Sequence, residues 1–421
     1  MMDISRRALL KMAGGVAITS GMKNTTDISV RWDFEGGNLG KVELAGTDHY
    51  RCHVKGQVDQ DGRNRQANWY YFRVDHAQGH ALTFDLVDLA GEYNYQRNPG
   101  AITKDTLPFF SSDGITWQPV EEAIYDPSEP KLQFRITVPS EHVWLAHVPP
   151  YTTVNLAGLL RDISTTPYVK STTIGKTVEG RTIPLVTITD RAVPDNAKKV
   201  IWLMFRQHAW EAGSSWTGEG LMRFVTSSHP AAEQIRRETI LKILPLCDPD
   251  GVVNGTVRFN HYGYDLNRNW DLIDPVKMPE ITAERRAILD WVDSGNRVDF
   301  FLTVHNDETN EYIQGPPDKS GSLRPLLNRV FEYWSAGTTF AATKPPTFDD
   351  VSTTVGKPGR MNVVQRLYQD RKLPGFEVEM RIVKHPKLGR RPNIEDRKRA
   401  GGELIQAIWK GLDSRQAQVP G

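Results

Sequence analysis

Residues 200–211 read Val-Ile-Trp-Leu-Met-Phe-Arg-Gln-His-Ala-Trp-Glu. The first six form an uninterrupted apolar run, which is typical of a β-strand buried on both faces. The polar residues that follow include a histidine and a glutamate three positions apart, His208 and Glu211. Such an H-x-x-E pair is a weak signal alone, because most matches are surface residues or a hydrogen-bonded core histidine. The stretch predicts a central strand with two candidate metal ligands just past its end.

Strands and helices alternate along the chain from about residue 150 onward. Further strands are predicted at residues 239–246, 298–304 and 375–381, and helices at residues 214–225, 323–334 and 395–412. This order favours an α/β domain built on a largely buried sheet, which we place at residues 155–415.

A second histidine, His305, directly follows the predicted strand at residues 298–304. Ligands of open α/β sheets bind in the crevice outside the carboxyl ends of the strands, so His305 is expected near His208 and Glu211. Two histidines and one glutamate are a known catalytic zinc set, with the fourth position left for water. The sequence therefore predicts a metal site, although other divalent metals accept the same ligands.

The segment after the strand at residues 239–246 offers groups suited to carboxylate recognition. Asp-Pro-Asp-Gly at residues 248–251 is turn chemistry, and Arg258, Asn267 and Arg268 follow it. Arginine pairs with a carboxylate through two parallel hydrogen bonds, and an amide side chain adds another donor. For any one of these residues, a solvated loop position is the default interpretation.

Residues 28–152 show a different pattern, with short strands separated by Gly, Asn, Asp and Pro clusters. Strands are predicted at residues 69–74, 81–86 and 132–138, and the last two alternate apolar and polar side chains. This pattern favours a small β-sandwich ahead of the α/β domain. We interpret the aromatic run at residues 69–72 as core, not as a ligand platform.

The composition is that of an ordinary globular protein. The 421 residues include 52 Lys and Arg against 51 Asp and Glu, and this balance argues against nucleic acid or an anionic membrane as the main partner. No stretch approaches the ~20 apolar residues of a transmembrane helix. Cys52 and Cys247 are too few for a disulfide scaffold, and the sequence alone cannot show whether they pair.

The first 25 residues resemble a bacterial twin-arginine export signal. Ser-Arg-Arg at residues 5–7 is followed by Leu-Leu-Lys at residues 9–11 and a modest apolar run. A basic tail is the plain alternative, and the absence of a clear cleavage site leaves an uncleaved anchor open. We expect export to the periplasm, or a cytoplasmic location if the signal is not used.

Together, the motifs resemble the zinc metallocarboxypeptidase family of the pancreatic type. H-x-x-E is followed in order by P-D-G-V-x-N-G, D-L-N-R-x-W, a histidine at a strand end and a glutamate in a late strand. The F-E-G-G-N-L of residues 34–39 and the P-Y-T of residues 150–152 are similar to the cytosolic-carboxypeptidase branch and its bacterial relatives.

The resemblance implies a mixed-sheet catalytic domain that hydrolyses the C-terminal bond of peptides or proteins. One zinc per chain, a metal-activated water and a glutamate base are implied. The residues that match the family's motifs, with their implied roles, are the metal ligands His208, Glu211 and His305, the carboxylate-gripping pair Asn267 and Arg268, the carbonyl-polarising Arg258, and the general base Glu379.

Several assignments stay open in the sequence. Glu377 lies two residues before Glu379 on the same strand face and is the alternative base. Lys357 and Arg360 are candidates for pairing with an acidic C-terminal side chain, while Tyr368 is only a weak candidate for the family's mobile tyrosine. The family's usual H-P-G-E motif is H-A-W-E here, at residues 208–211. Residues 306–308, which follow His305, also differ from the residues found there in the family. Substrate specificity therefore cannot be transferred from the family to this chain.

Three other functions remain as alternatives. The first is a carboxypeptidase or amidase acting on the stem peptides of the cell wall. The second is a catalytically silent peptide-binding protein with the same fold. The third gives the β-sandwich a separate role in recruiting partners.

Overall fold

The computed structural model describes residues 28–98, 100, 102–348 and 358–413. The predicted export signal at residues 1–25 and the candidate pocket residue Lys357 lie outside these ranges. None of the helices in the described ranges is both long and apolar enough to cross a membrane.

The N-terminal domain is built entirely from short strands. They are β1 Ser29–Arg31, β2 Val42–Gly46, β3 His49–His53, β4 Gln57–Val58, β5 Arg65–Gln66, β6 Tyr71–Asp75, β7 Ala81–Val87, β8 Gly91–Tyr93, β9 Gln96–Asn98, β10 Phe109–Ser111, β11 Gln118–Pro119, β12 Ala123–Asp126, β13 Lys131–Thr137 and β14 His142–Ala146.

Ten of these strands form the predicted β-sandwich. One five-stranded sheet has the order β1-β6-β14-β10-β11 and the other β12-β13-β7-β3-β2. Their inner faces meet in one apolar core, where the rings of Phe72 from one sheet and Phe84 from the other lie 5.9 Å apart. The aromatic run at residues 69–72 is buried, as its interpretation as core required.

A small third sheet, with the order β4-β5-β8-β9, was not predicted. Its strands are two or three residues long, and most of its side chains are partly or fully exposed. No apolar alternation marks such strands in the sequence. The hairpin formed by β4 and β5 nevertheless lies against the second domain.

The second domain alternates strands and helices. They are α1 Thr153–Ile163, β15 Val169–Lys176, β16 Thr182–Ile188, β17 Lys199–Phe205, α2 Ala212–Thr226, α3 Pro230–Glu238, β18 Thr239–Leu244, α4 Pro249–Asn254, α5 Pro279–Asp293, β19 Phe300–Asp307, β20 Tyr312–Gln314, α6 Arg324–Ser335, α7 Val363–Arg371, β21 Gly375–Arg381 and α8 Ile394–Leu412.

The central sheet of this domain is mixed and seven-stranded, with the order β15-β16-β18-β17-β19-β21-β20. The four inner strands β18, β17, β19 and β21 are parallel, so their carboxyl ends meet at one edge. In β17, Ile201 and Leu203 belong to the core shared with α2, α6 and α8, whereas Trp202 and Met204 belong to the core shared with α5 and α7. Because helices cover both faces of the sheet, residues 200–205 of β17 are a continuous apolar run.

Helices α2 and α8 contact each other backbone to backbone. A Cβ atom on Gly220 would lie 2.0 Å from the carbonyl oxygen of Lys398, and one on Gly401 would lie 2.0 Å from that of Thr217. Only glycine fits at these two positions. The contact holds the middle of α2, the helix that follows Glu211 directly, against α8.

The predicted strands and helices of both domains are present, with ends shifted by a few residues. One placement was wrong in detail, because β19 continues through His305 to Asp307 by pairing with β21. In the second domain, the β15–β16 hairpin, strand β20 and helices α1, α3, α4, α5 and α7 were not predicted. Residues 248–251, which were interpreted as a turn, form the N-cap and first turn of α4, where Oδ1 of Asp248 accepts from the N–H of Gly251. Cys52 and Cys247 are both buried and unpaired with each other, since they lie in the separate cores of the two domains.

His147 is buried where the two domains meet. Its ring centroid lies 5.7 Å from that of Tyr70 and 6.1 Å from that of Trp210, and neither ring nitrogen has a hydrogen-bond partner among the described residues. Burial lowers the pKa of His147 to about 3, and the charge of Arg391 acts in the same direction. The folded protein therefore keeps this imidazole neutral.

We expect His147 to make the protein sensitive to acid. Between pH 6.5 and about 3, the unfolded chain binds one more proton here than the folded chain. The free energy of unfolding should therefore fall as the pH drops below about 6.5, by up to about 1.4 kcal/mol per pH unit from this residue. Urea unfolding of wild type and His147→Phe from pH 7 to 4 should show a shallower loss in the variant. Parallel curves would contradict this assignment.

Candidate metal centre and active site

The three candidate metal ligands come from the end of β17 and from β19. His208 and Glu211 lie in the loop between β17 and α2, and His305 lies near the end of β19. The loop leaves the strand through Arg206, whose φ of 62° is uncommon for a residue with a side chain. The Arg206 side chain is buried and its Nε donates to the carbonyl oxygen of Ala209, which holds the turn.

The side chains of the three residues converge on one point. Nδ1 of His208 lies 2.6 Å from Oε1 of Glu211, and Nδ1 of His305 lies 2.9 Å from Oε2 of the same carboxylate. One potential ligand atom from each residue lies within 4.8 Å of the others, and all three residues are buried. The structure thus brings together the set that the sequence proposed.

The outward-facing nitrogens of both histidines have their own partners. Nε2 of His208 lies 3.0 Å from Oδ1 of Asp265. Nε2 of His305 lies 3.0 Å from Oγ1 of Thr303 and 3.2 Å from Oε1 of Gln207. Histidines that bind a metal are commonly oriented through their other ring nitrogen in this way. The donor set and its outer contacts fit a zinc ion at this point.

The electrostatics of the cluster favour charged carboxylates. Burial alone would raise the pKa of Glu211, but the two histidines lower it below its usual value. Burial and Arg258 lower the pKa of His208, and Glu211 and Asp265 outweigh them so that the net shift is upward. The pKa of Asp265 lies well below its usual value despite burial, because Arg258 and His208 stabilise its charge.

Glu379 and Glu377 both lie on β21, where they pair with His305 and Thr303 of β19 respectively. Glu379 is the Cα partner of His305, and its Oε2 has no hydrogen-bond partner among the described residues. Burial raises the pKa of Glu379 well above its usual value, and Glu211 and Glu377 raise it further.

Glu377, the alternative base, is enclosed by amides. It is 3% exposed and accepts hydrogen bonds from Asn267 at 2.8 Å, Gln314 at 2.7 Å and Asn362 at 3.3 Å. Its oxygens are therefore engaged by the protein, whereas Glu379 keeps an oxygen for another partner. This contrast favours Glu379, but the role of either residue stays a prediction.

Arg258 is oriented by Asp265. Its Nε donates to Oδ2 of Asp265 at 2.8 Å, while Oδ1 of the same carboxylate contacts His208. The guanidinium is partly exposed, and Asp265, Glu211 and Glu379 raise its pKa against the effect of burial. One carboxylate thus links the predicted carbonyl-polarising arginine to a candidate metal ligand.

Asn267 and Arg268 occupy different environments. Asn267 is 2% exposed, and its Nδ2 donates to Glu377 and lies 3.3 Å from Nε2 of His305. Arg268 is half-buried, and its Nη1 donates to the carbonyl oxygen of Asn267. Of the predicted carboxylate-binding pair, only Arg268 presents a partly exposed side chain here.

Arg360 and Tyr312 lie near the candidate site, since Arg360 interacts with the charges of Arg268 and Asp265 and Tyr312 pairs with Glu379. Burial lowers the pKa of Arg360. The positive charges of Arg268 and of Arg63 in the N-terminal domain lower it further. Nη2 of Arg360 also donates to Oη of Tyr93 at 3.5 Å. Tyr312 is the β20 partner of Glu379, and burial with the nearby carboxylates raises the pKa of its phenol.

Two residues that depart from the family's motifs, at positions 210 and 306, make specific contacts in the structure. Trp210 packs in the domain interface beside His147, and its backbone N–H donates to the carbonyl oxygen of Val257. Asn306 connects the start of α2 to β21, since it accepts from the N–H of Ser214 and donates to the carbonyl of Met380. Tyr368 donates to Asp318, outside the metal-ligand cluster.

The sequence did not single out the residues that hydrogen-bond to the candidate metal-ligand histidines. Asp265 stands in the D-L-N-R motif, two positions before Asn267, so its place in that motif was an available signal. Thr303 is on the same strand as His305, two residues earlier, and therefore points to the same face. Gln207 carried no signal beyond its position beside His208.

Both domains match known families. Residues 160–365 match the family described as zinc carboxypeptidase, and residues 30–148 match the cytosolic carboxypeptidase N-terminal domain. An uncharacterised protein of Zymomonas mobilis is 27% identical over 302 residues, which are 70% of this chain and 73% of that protein. Human cytosolic carboxypeptidase 2 is 29% identical over 280 residues, 61% of this chain but 30% of the human protein. The chain thus spans less than a third of that human relative.

The fold has a counterpart among solved structures. A metallo-carboxypeptidase from Burkholderia cenocepacia superimposes with a TM-score of 0.79, covering 93% of this chain and 100% of that chain at 22% identity. That similarity supports the fold of both domains and their order. With the two family matches in the same order along the sequence, the chain belongs to the zinc carboxypeptidase family, in the form that carries a cytosolic-carboxypeptidase N-terminal domain.

Proposed function

We propose that the protein is a zinc-dependent carboxypeptidase that binds one zinc ion through His208, Glu211 and His305. The observation that carries this proposal is the convergence of the three buried side chains on one point, with Glu379 in the neighbouring strand. A bound zinc would polarise a carbonyl group and lower the pKa of water to about 7.

The chain's own residues supply the other parts of the hydrolysis. Glu379 has an oxygen without a protein partner, so it can take a proton from the attacking water and pass it to the leaving amine. The Arg258 guanidinium, held by Asp265, offsets the charge that grows on the scissile carbonyl oxygen. The charges of both side chains interact with each other and with that of Glu211.

Arg268 would select peptides with a free C-terminus. A guanidinium pairs with a carboxylate bidentately but has no comparable partner in a C-terminal amide. Asn267 would need to exchange its hydrogen bond to Glu377 for one to the substrate. We therefore assign Arg268 the larger share of carboxylate binding.

Replacing Arg268 by alanine is expected to reduce kcat/KM by about 10- to 100-fold on free-acid peptides, mainly through KM, since a hydrogen bond to a charged group contributes about 1.5–3 kcal/mol. The preference for the acid over the amide should shrink by a similar factor. Arg371→Ala, in an exposed ion pair with Asp293, is the matched control. An unchanged acid-to-amide ratio in Arg268→Ala would contradict the role.

The C-terminal side chain that is removed would be acidic. Arg360 is half-buried and interacts with the charges of Arg268 and Arg63, so three cations lie near the candidate site, with Asp265 as the nearby anion. Such a group favours an acidic side chain on the released residue over a basic one. The cell-wall peptides named above are the second candidate substrates if the chain is exported to the periplasm, a location that the twin-arginine resemblance supports.

The test is mass spectrometry of a peptide pool after incubation with the zinc-loaded protein. The pool should contain acidic, basic, aliphatic, aromatic, D-configured and amidated C-termini. Loss of single C-terminal residues from the acids but not the amides is the expected result. Selective cleavage of D-configured ends would favour the cell wall, whereas no cleavage despite one zinc per chain would favour a binding protein.

A further inference from the structure

We propose that Gln57 of the N-terminal domain is a positioning residue for Arg258 of the catalytic domain. This inference rests on the proposed function, because it concerns the placement of the arginine that polarises the substrate carbonyl. It assigns the β-sandwich domain a part in building the active site. It does not require that this domain bind any other protein.

One side chain holds three consecutive backbone groups. Oε1 of Gln57 accepts hydrogen bonds from the N–H groups of Val257 at 3.1 Å, Arg258 at 2.8 Å and Phe259 at 2.8 Å. Nε2 of Gln57 donates to the carbonyl oxygen of Phe259 at 2.6 Å. The backbone on both sides of the Arg258 Cα is thus fixed from the other domain.

The hairpin that carries Gln57 is itself well held. Oδ1 of Asp59 accepts from the N–H groups of Arg63 and Asn64, and its Oδ2 accepts from the Asn64 side chain at 2.6 Å. The N–H of Gln60 donates to the carbonyl oxygen of Gly263 at 3.1 Å. The β4–β5 hairpin therefore contacts the 257–263 segment at both ends.

Gly263 permits this close approach. Its φ is 85°, and a Cβ at this position would lie 2.7 Å from the N atom of Gln60. A residue with a side chain would separate the hairpin from the segment. The two backbones fit together only because glycine stands there.

Arg258 is consequently held at two points by two domains. Its backbone is bound by Gln57, and its guanidinium is bound by Asp265, which also contacts the metal ligand His208. If the backbone contact is lost, the guanidinium can shift while Asp265 and the metal ligands stay in place. A misplacement of about 1 Å can cost on the order of 100-fold in rate.

The experiment compares Gln57→Ala with Gln60→Ala in the full chain. Gln60 is on the same hairpin, but its side chain is exposed and its contact to Gly263 uses the backbone. Gln57→Ala is expected to lower kcat by about 10- to 100-fold with a change in KM below about threefold, because the carbonyl-polarising contact is strongest in the transition state. Gln60→Ala should match wild type, and both variants should bind zinc like wild type.

A double-mutant cycle separates positioning from general damage. In an Arg258→Ala background, adding Gln57→Ala should change kcat by less than about twofold, since the two residues act as a unit. Amide hydrogen exchange gives a readout that needs no activity. The peptide containing residues 256–260 should exchange faster in Gln57→Ala than in Gln60→Ala or wild type.

Two results would overturn the inference while leaving the proposed function intact. One is an active Gln57→Ala whose kcat and exchange match those of Gln60→Ala. The other is an equal loss of kcat from Gln57→Ala with and without Arg258. A wild type that cleaves no peptide would instead overturn the proposed function and the catalytic part of this inference, and the exchange experiment would still decide whether Gln57 holds the segment.

Discussion

Glu379→Gln is expected to lower kcat by about 100- to 10,000-fold, the usual contribution of a positioned general acid–base group. Glutamine has nearly the same shape but cannot take a proton from water at neutral pH. KM and zinc content should stay near wild type, because Glu379 is not among the three clustered ligands. Steady-state kinetics on the best peptide of the pool, with metal analysis of the same sample, checks this result.

Glu377→Gln is the matched control for this experiment. The substitution is the same and lies two residues earlier on the same face of β21. Because Glu377 is bound by three amide side chains, its replacement should mainly lower the melting temperature. A large loss of kcat in Glu377→Gln with normal kinetics in Glu379→Gln would exchange their roles.

His305→Ala is expected to abolish measurable peptidase activity and to prevent stable binding of one zinc per chain. The variant removes one of the three proposed ligands and leaves Glu211 with a single histidine partner. Chelation of wild type should have the same effect on activity and should be reversed by added zinc. His261→Ala is the control, because His261 is exposed and lies outside the cluster.

Metal binding should also stabilise the fold. A ligand that binds only the folded state at 1,000 times its Kd adds about 4.1 kcal/mol to the free energy of unfolding. Wild type should therefore melt at a higher temperature with zinc than after chelation, whereas His305→Ala should show little difference. Full activity in the chelated protein would contradict a metal-dependent mechanism.

The sequence predicted the parts of this molecule that have a local signature. The apolar run of β17, the alternation in β7 and β13 and the order of the family's motifs each reside within a short stretch. They were sufficient for the fold class and for the grouping of His208, Glu211 and His305, because parallel strands end at the same sheet edge. Ends of elements and amphipathic helices such as α5 were less clearly marked.

Features that depend on contacts between distant residues were not predictable. The sequence places Glu377 and Glu379 on one face of a strand, but only the fold shows that Asn267, Gln314 and Asn362 enclose the first. Gln57 lies 200 residues or more from the backbone groups that it binds. No periodicity or spacing reports such a contact.

The seating of the β4–β5 hairpin on residues 257–263 has an evolutionary consequence. Recombination tends to preserve function when the exchanged segments share few contacts, and here the first domain is hydrogen-bonded to the backbone of the segment that carries Arg258. A different β-sandwich joined at the same linker would lack Gln57 and the partner of Gly263. The two domains are thus expected to be inherited as a pair, and substitutions at their contact to have been selected jointly.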